Sequence, residues 1–321
     1  MVGGVSPVSH VRALWPGVGI WLPLPFVLWS AGCLAAARGR PEHVLLLVVV
    51  PLLAYASVAT KRLFVGLLPI GLLGLVYDAM RFVKDVGVTP DRVHLCDLRA
   101  IDMRIASVMV GGERGTVHDW IRAHTSPALE VMCAVPYGTF IFLALGFAVF
   151  LYVKDYERMR LFGWAFLLVN LAGFVTYHLY PAAPPWYFHE HGCTVDLAVP
   201  ASEGASLARV DALLGIHYFH DFYGRSSDVF GAVPSLHVAY PLLIVLFGWP
   251  ILRWPGRVFT VTFFISMCGA AVYLDHHWII DVVVGLAYTV VVVAGVVTVA
   301  RSRSRRSDPT LVTDAISEAA R

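Results

Sequence analysis

Two histidines and one aspartate stand in this sequence at spacings that suit covalent group transfer. His277 and Asp281 lie four residues apart in Tyr273-Leu-Asp-His-His277-Trp-Ile-Ile-Asp281, so on a helix they share a face. A carboxylate beside an imidazole selects its tautomer and stabilises the imidazolium, which leaves the other ring nitrogen as a nucleophile. His237 closes Gly231-Ala-Val-Pro-Ser-Leu-His237, directly before an apolar run. Pro234 suits a first helical turn, where no backbone N–H is required, and free N–H groups at a helix start attract anions. Ser235 adds a hydroxyl donor. His237, one turn in, is placed to give a proton to a bound anion.

A third stretch, Tyr177-His-Leu-Tyr-Pro-Ala-Ala-Pro-Pro-Trp-Tyr187, stands where an apolar run ends. Its prolines stop a helix, and Tyr180, Trp186 and Tyr187 suit a lipid headgroup belt. Taken singly, none of the three is diagnostic. Pro-Ser begins many helices, a His and an Asp four apart are common on helices, and the proline-aromatic run could be a lipid anchor. His276, His277 and Asp281 could also ligate a metal, although no other metal-ligand spacing accompanies them. What joins the three stretches is their order and a common side of a membrane.

The elements that must position them are membrane helices. Of 321 residues, 58% are hydrophobic and only 14% charged, against about 25% charged in soluble domains. A net charge of +2 gives no reason to expect nucleic acid as a partner. A span needs roughly 20 apolar residues, and candidates run near 16–37, 43–60, 63–80, 129–152, 160–180, 235–252, 257–274 and 278–300. This predicts an all-α bundle of about eight spans, with seven or six as alternatives. Pro51, Pro69 and Pro136 do not exclude helix, because neighbouring helices satisfy the freed carbonyls. Residues 98–110 suit an amphipathic helix on the membrane surface, and the Arg- and Ser-rich tail from Arg301 is expected to be disordered. There is no sequence repeat, and the first apolar stretch carries no convincing signal-peptide cleavage site.

Eight spans put the segments 81–128, 181–234 and 275–277 on one side. Lys61, Arg62, Lys154, Arg158, Arg160, Arg253, Arg257 and the Arg301–Arg306 cluster fall on the other. Short basic loops stay cytoplasmic, so both termini are expected inside and the three chemical stretches on the extracytoplasmic face. Arginine far outnumbers lysine, which suggests a GC-rich bacterial genome and hence a bacterial plasma membrane. Cys33, Cys133 and Cys268 lie in apolar runs and read as core residues. Cys96 and Cys193 would face an oxidising side, where the sequence allows either a disulfide or two free thiols.

The order of these motifs resembles the type 2 phosphatidic acid phosphatase superfamily, and more closely its inositol phosphorylceramide synthase branch. The resemblance is carried by YPAAPPWY at 180–187, ARVDALLGI at 208–216, SSDVFGAVPSLH at 226–237 and YLDHHWIIDVVVG at 273–285, and more loosely by AHTSPALEVMCAVPYG at 123–138. It implies a six-helix catalytic membrane domain over 63–300, accessory spans over 1–62 and a cytoplasmic basic tail over 301–321. It implies His277 as the nucleophile that takes the phosphoryl group and Asp281 as the residue that orients and charge-balances it. His237 would be the proton donor to the leaving alkoxide and the base for the acceptor. Ser235 and backbone N–H groups near Gly231 would hold phosphate oxygens. Neither metal nor cofactor is implied, and an accessory subunit is not identified.

The chain departs from the superfamily pattern at its phosphate clamp. The superfamily carries a Lys and an Arg before its first conserved Pro and an Arg six residues before the nucleophile; the corresponding positions here are Gly173, Tyr180 and Ala271. Arg209 and Arg225 are the outer-loop cations that could partly replace them, with Tyr180 and Tyr187 as further substrate contacts. Burying a second negative charge without a partner is expensive, so a site poor in cations should favour singly charged phosphodiesters over phosphomonoesters. The function expected is transfer of a phospho-headgroup, inositol phosphate from phosphatidylinositol, to a lipid alcohol. The alternative is a lipid phosphate or prenyl diphosphate phosphatase that uses water. A non-catalytic lipid transporter would have no need of the nucleophile, and a haloperoxidase would lack its vanadate-binding cations.

Overall fold

Apolar length dictates the scaffold. The computed structural model describes residues 7–199, 205–224 and 229–306, and the chain divides into two units, 1–78 and 79–321. The first unit opens with α1 (Pro7–Leu14), a 3₁₀ turn at Val18–Trp21 that leads into α2 (Leu24–Ala35), and α3 (Pro41–Tyr55); α4 (Val58–Val83) begins in it and runs across the boundary. Its interior is an apolar cluster around Trp15, Phe26, Val50, Ala54 and Phe64. It also holds a saturated polar contact. Asp78 accepts from Trp29 Nε1 (2.9 Å) and His43 Nε2 (3.1 Å), while His43 Nδ1 accepts from the Arg40 backbone N–H (2.8 Å). That pattern fixes the His43 proton on Nε2 and leaves neither ring nitrogen for a metal.

The second unit continues with α5 (Cys96–Ile105), a hairpin of β1 (Ser107–Val110) and β2 (Glu113–Thr116), and α6 (Val117–Ala123). The strands pair antiparallel, Ser107 with Thr116 and Val110 with Glu113. This corrects the expectation of one amphipathic helix over 98–110: the helix stops at Ile105. The cause is the Gly111-Gly112 pair. Both residues have positive φ, 60° and 95°, the geometry of a two-residue hairpin turn that L side chains resist. Thr116 and Asp119 then form a reciprocal capping box that starts α6.

The larger, C-terminal half follows as α7 (Pro127–Lys154), α8 (Tyr156–Leu179), α9 (Pro185–His191), α10 (Ala205–Leu214), α11 (Tyr218–Tyr223), α12 (Leu236–Gly248), α13 (Trp254–Tyr273) and α14 (Ile279–Arg306). Six helical stretches are long and apolar enough to cross a membrane: 18–35, α4, α7, α8, α13 and α14. α3 and α12 are shorter and also apolar. These eight coincide with the eight expected segments, and Pro51, Pro69 and Pro136 all lie inside helices. The 62/63 position falls within α4, and α14 continues through Arg306 into the segment read as a disordered tail; residues 307–321 lie outside the described residues. The protein is an integral membrane protein with an all-α bundle.

α12 lies at the centre of this half and packs against α7, α8, α13 and α14. Gly285 permits the closest of these approaches, since a Cβ there would collide with the Ser235 carbonyl oxygen. Cys96 and Cys193 are joined by a disulfide, Cα–Cα 5.8 Å, which ties the start of α5 to the segment after α9.

Candidate active site

The fold brings His237, His277 and Asp281 together at one end of the bundle. His237 sits in the first turn of α12, and Ser235 is that helix's N-cap residue. Pro234 therefore lies one residue before the N-cap, not in the first turn of the helix. Its carbonyl accepts from Tyr177 Oη (2.9 Å), and the Ser235 N–H donates to the Asp281 carbonyl (3.0 Å). His277 stands in the short loop between α13 and α14, with Asp281 in the first turn of α14.

One continuous set of hydrogen bonds assigns the imidazole tautomers. His277 Nδ1 faces the Ala232 carbonyl at 2.9 Å and so carries a proton. Its Nε2 is then bare, and it meets His237 Nδ1 at 2.9 Å, which must be the donor. His237 Nε2 in turn accepts from Tyr223 Oη at 3.1 Å. Asp281 Oδ2 is 3.6 Å from His277 Nδ1 and accepts the Trp278 N–H at 2.8 Å. The closer orienting partner of His277 is thus the Ala232 carbonyl, and Asp281 serves as a buried countercharge. A nucleophilic nitrogen is held against a proton donor, the arrangement that covalent transfer with general acid–base assistance requires.

Around this pair lie polar atoms without partners. Ser235 Oγ, Tyr137 Oη, His276 Nε2 and Asp281 Oδ1 are all buried and make no hydrogen bond. The Tyr137 ring stacks on His237 (centroids 4.5 Å) and contacts His276 (5.1 Å). Burial and the neighbouring His277 push the His276 imidazole down to about 3, so it is neutral.

A second, charged cluster braces the loop. Asp275 adopts φ 61°, and its carboxylate meets His118 Nδ1 (3.0 Å), Arg122 (3.2 Å) and His189 Nδ1 (3.2 Å). Its backbone carbonyl accepts from the Trp186 N–H (3.1 Å). Asp102, on α5, accepts the Ile279 and Ile280 N–H groups (3.2 and 3.3 Å), so a residue about 177 positions away caps α14. His118 also lies 3.5 Å from Asp102. Asp119 binds Arg99 (2.8 Å) and His189 Nε2 (3.1 Å). Burial alone would lower the His118 imidazole, but hydrogen bonds and attraction from Asp102 and Asp275 raise it to about 9. Asp275 and Asp119 are also buried, yet their cationic partners hold both well below the ordinary carboxylate range.

The remaining expected site residues are placed as follows. Gly231 packs beneath the Tyr177 ring, leaving no room for a side chain without displacement. Tyr187 is buried, its hydroxyl bonded to the Asp196 backbone N–H and carbonyl (2.7 and 2.9 Å). Tyr180 stacks on His94 at 3.6 Å. Arg209 binds Glu130 (2.8 Å) and Ser206 (2.8 Å), so its charge is already paired. Arg225 lies outside the described residues. The clamp positions hold no cation: a Cβ at Gly173 would lie 3.0–3.2 Å from the Leu236 side chain, and Ala271 is fully buried.

Comparison with known proteins fits this geometry. A family model described as the PAP2 superfamily matches residues 106–295. The chain is 33% identical over 266 residues to the phosphoinositol dihydroceramide synthase of Bacteroides thetaiotaomicron, covering 82% of this chain and 85% of that protein. It is 34% identical to the inositol phosphorylceramide synthase of Candida albicans over 50% of this chain, and 28% identical to the catalytic subunit from Saccharomyces cerevisiae over 73%. Those matches span 34% and 56% of the two fungal proteins. No solved structure matches the chain significantly. Because one family covers more than half of the sequence, including every stretch that builds the His237–His277–Asp281 centre, the chain belongs to the PAP2 superfamily and is an enzyme of it.

Proposed function

We propose that the protein transfers the phosphoinositol headgroup of phosphatidylinositol to a lipid alcohol through a phosphohistidine on His277. The observation that carries the chemistry is the His277 tautomer: Nδ1–H is tied to the Ala232 carbonyl, so a bare Nε2 faces His237. The headgroup and a ceramide-type acceptor are inferred from the activities for which the relatives are named.

In the first half-reaction, His277 Nε2 attacks phosphorus and the bond from phosphorus to the diacylglycerol oxygen breaks. His237, neutral at rest, takes up a second proton on Nε2 as the anionic substrate enters and, as imidazolium, gives its Nδ1 proton to that oxygen. Its Nε2–H then donates to Tyr223, whose hydroxyl accepts as readily as it donates. The phosphorylated His277 ring is cationic, and the Ala232 carbonyl and Asp281 stabilise it. In the second half-reaction, neutral His237 takes the proton of the acceptor alcohol, the alkoxide attacks phosphorus, and the N–P bond breaks. In-line displacement puts phosphorus between nucleophile and leaving group. A 2.9 Å separation between the two histidines leaves no space for it, so substrate must replace their hydrogen bond.

Basic short loops on the opposite side support an extracytoplasmic site with cytoplasmic termini, and the Cys96–Cys193 disulfide agrees with an oxidising compartment. The test is to give purified enzyme phosphatidylinositol labelled in its inositol phosphate, with ceramide and with a bacterial lipid extract. Label in a new lipid, absent with His277→Ala, is expected. Water-soluble inositol phosphate as the sole product would make the enzyme a hydrolase.

A further inference from the structure

The superfamily's cationic clamp is replaced in this chain by Gly173, Tyr180 and Ala271, and the space at two of these positions is already filled. Leu236 packs against Gly173. Ala271 shares one apolar cluster with Tyr137, and its carbonyl accepts the His276 and His277 N–H groups (3.2 and 3.0 Å). Among the described residues, no lysine or arginine makes a hydrogen bond or ion pair with His237, His276, His277 or Asp281. A phosphate brought to His277 Nε2 must still have its oxygens satisfied.

Three buried side chains of this centre have a polar atom with no hydrogen-bond partner. They come from three different elements: Tyr137 Oη from α7, His276 Nε2 from the α13–α14 loop and Ser235 Oγ from the α12 N-cap. A buried polar atom left unpaired costs about 1–3 kcal/mol, and native interiors contain few of them. Three around one nucleophile are explained if a ligand pairs them. All three are neutral: a hydroxyl, a phenol and an imidazole kept uncharged by burial.

We infer that Tyr137 and His276, together with Ser235, form an uncharged phosphate cradle that takes the place of the basic clamp and selects a phosphate bearing a single negative charge. This rests on the proposed phosphotransfer at His277 and adds to it two contact residues and a rule of charge selection. Tyr137 donates its phenolic proton to one non-bridging oxygen, and His276 donates from Nε2 to another. A diester brings one negative charge into this pocket. A monoester brings close to two above its second pKa of about 6, and the cradle supplies no cation for the second.

The test has a turnover arm and a binding arm. Tyr137→Phe keeps the ring stack and removes only the donor; it should lower kcat/KM for phosphatidylinositol by roughly tenfold to a hundredfold, the scale of one lost donor to a developing oxyanion. His276→Phe should do the same, and His276→Gln, which returns an amide donor near the Nε2 position, should recover most of the loss. Calorimetry on the wild-type protein then compares two soluble probes, glycerophosphoinositol and sn-glycerol 3-phosphate. The diester should bind more tightly at pH 7.5, and the ratio should shrink at pH 5.5, where the monoester carries close to one charge. Unchanged turnover in both Tyr137→Phe and His276→Phe would overturn the cradle. So would equal binding of the two probes at pH 7.5. Because binding is read without turnover, the cradle can stand or fall independently of whether phosphatidylinositol proves to be the donor.

Discussion

Two buried histidine clusters lie on either side of the 274–278 loop, and they are built on opposite principles. On one side, His118, Asp102, Asp275, Arg122, His189, Asp119 and Arg99 meet one another as acid–base pairs. On the other, His237, His276, His277, Tyr137 and Ser235 are neutral in the resting tautomers, and several polar atoms are left open. The first cluster spends its charges on geometry: it fixes a left-handed Asp275 and the first turn of α14. The second withholds its hydrogen bonds, as a site that must receive a ligand does. Paired charge dominates the first cluster, where His118 Nε2 and His189 Nδ1 alone make no hydrogen bond, and unpaired neutral groups dominate the second.

The largest expected effect breaks the comparison cleanly. His277→Ala should remove turnover altogether and leave the melting temperature in detergent nearly unchanged, because its hydrogen bonds support little of the fold. A melting temperature that falls along with activity would place His277 in the support and not in the chemistry. Asp275→Asn should behave in the opposite way. Asn tolerates the left-handed backbone but leaves Arg122 without its carboxylate and strips His118 and His189 of one of their two, and breaking a buried pair costs about 3–5 kcal/mol. Thermal unfolding would show the loss, and hydrogen exchange should rise in the 274–281 segment. Asp281→Asn lies between these extremes. On the proposed mechanism it removes the charge that would balance a phosphorylated His277 while the Ala232 carbonyl still holds Nδ1–H, so turnover should drop by roughly a hundredfold without collapse. Loss as complete as for His277→Ala would mean that Asp281 orients the ring after all.

The chemical cluster was more legible in the sequence than its support. His237, His277, Asp281 and Ser235 announce themselves through local spacing beside apolar runs, and each of the eight helices is dictated by its own apolar length. The support has no local signature. Asp102 caps a helix that starts far along the chain, and His118 meets Asp275 across 157 positions; neither is implied by any period or motif. Tyr137 is hidden in the same way, as one aromatic in an apolar helix. The Ala232 carbonyl, being backbone, could not be read from residue type at all. Arg209 read as a free cation because Glu130 lies 79 positions away. The hairpin is readable: Gly111-Gly112 after Val108-Met109-Val110 signals a tight turn, but the helical periodicity of 98–105 masks it.

The finest test of the comparison is the sign of each cluster's response to pH. His118 belongs to the charged side. It faces Asp102 from α5 and Asp275 from the loop, with the edge of Trp278 beside it, and Arg122 and His189 share Asp275. Its folded value is raised from 6.5 to about 9, so its stabilisation is complete below 6.5 and is lost as pH rises through 9. His276 belongs to the open side, and its folded value is lowered from 6.5 to about 3. Its contribution is complete above 6.5 and is lost as pH falls toward 3, because the unfolded chain takes up a proton that the folded one refuses. Asp275 and Asp119, held low by their cationic partners, respond only on the far acid side. The melting temperature of the wild-type protein should therefore peak near pH 6.5 and decline on both flanks. His118→Gln should flatten the alkaline flank and leave the acid one, while His276→Gln should reduce the acid slope and leave the alkaline one. If either substitution altered the opposite flank, the two clusters would be a single coupled network and the division between support and chemistry would fail.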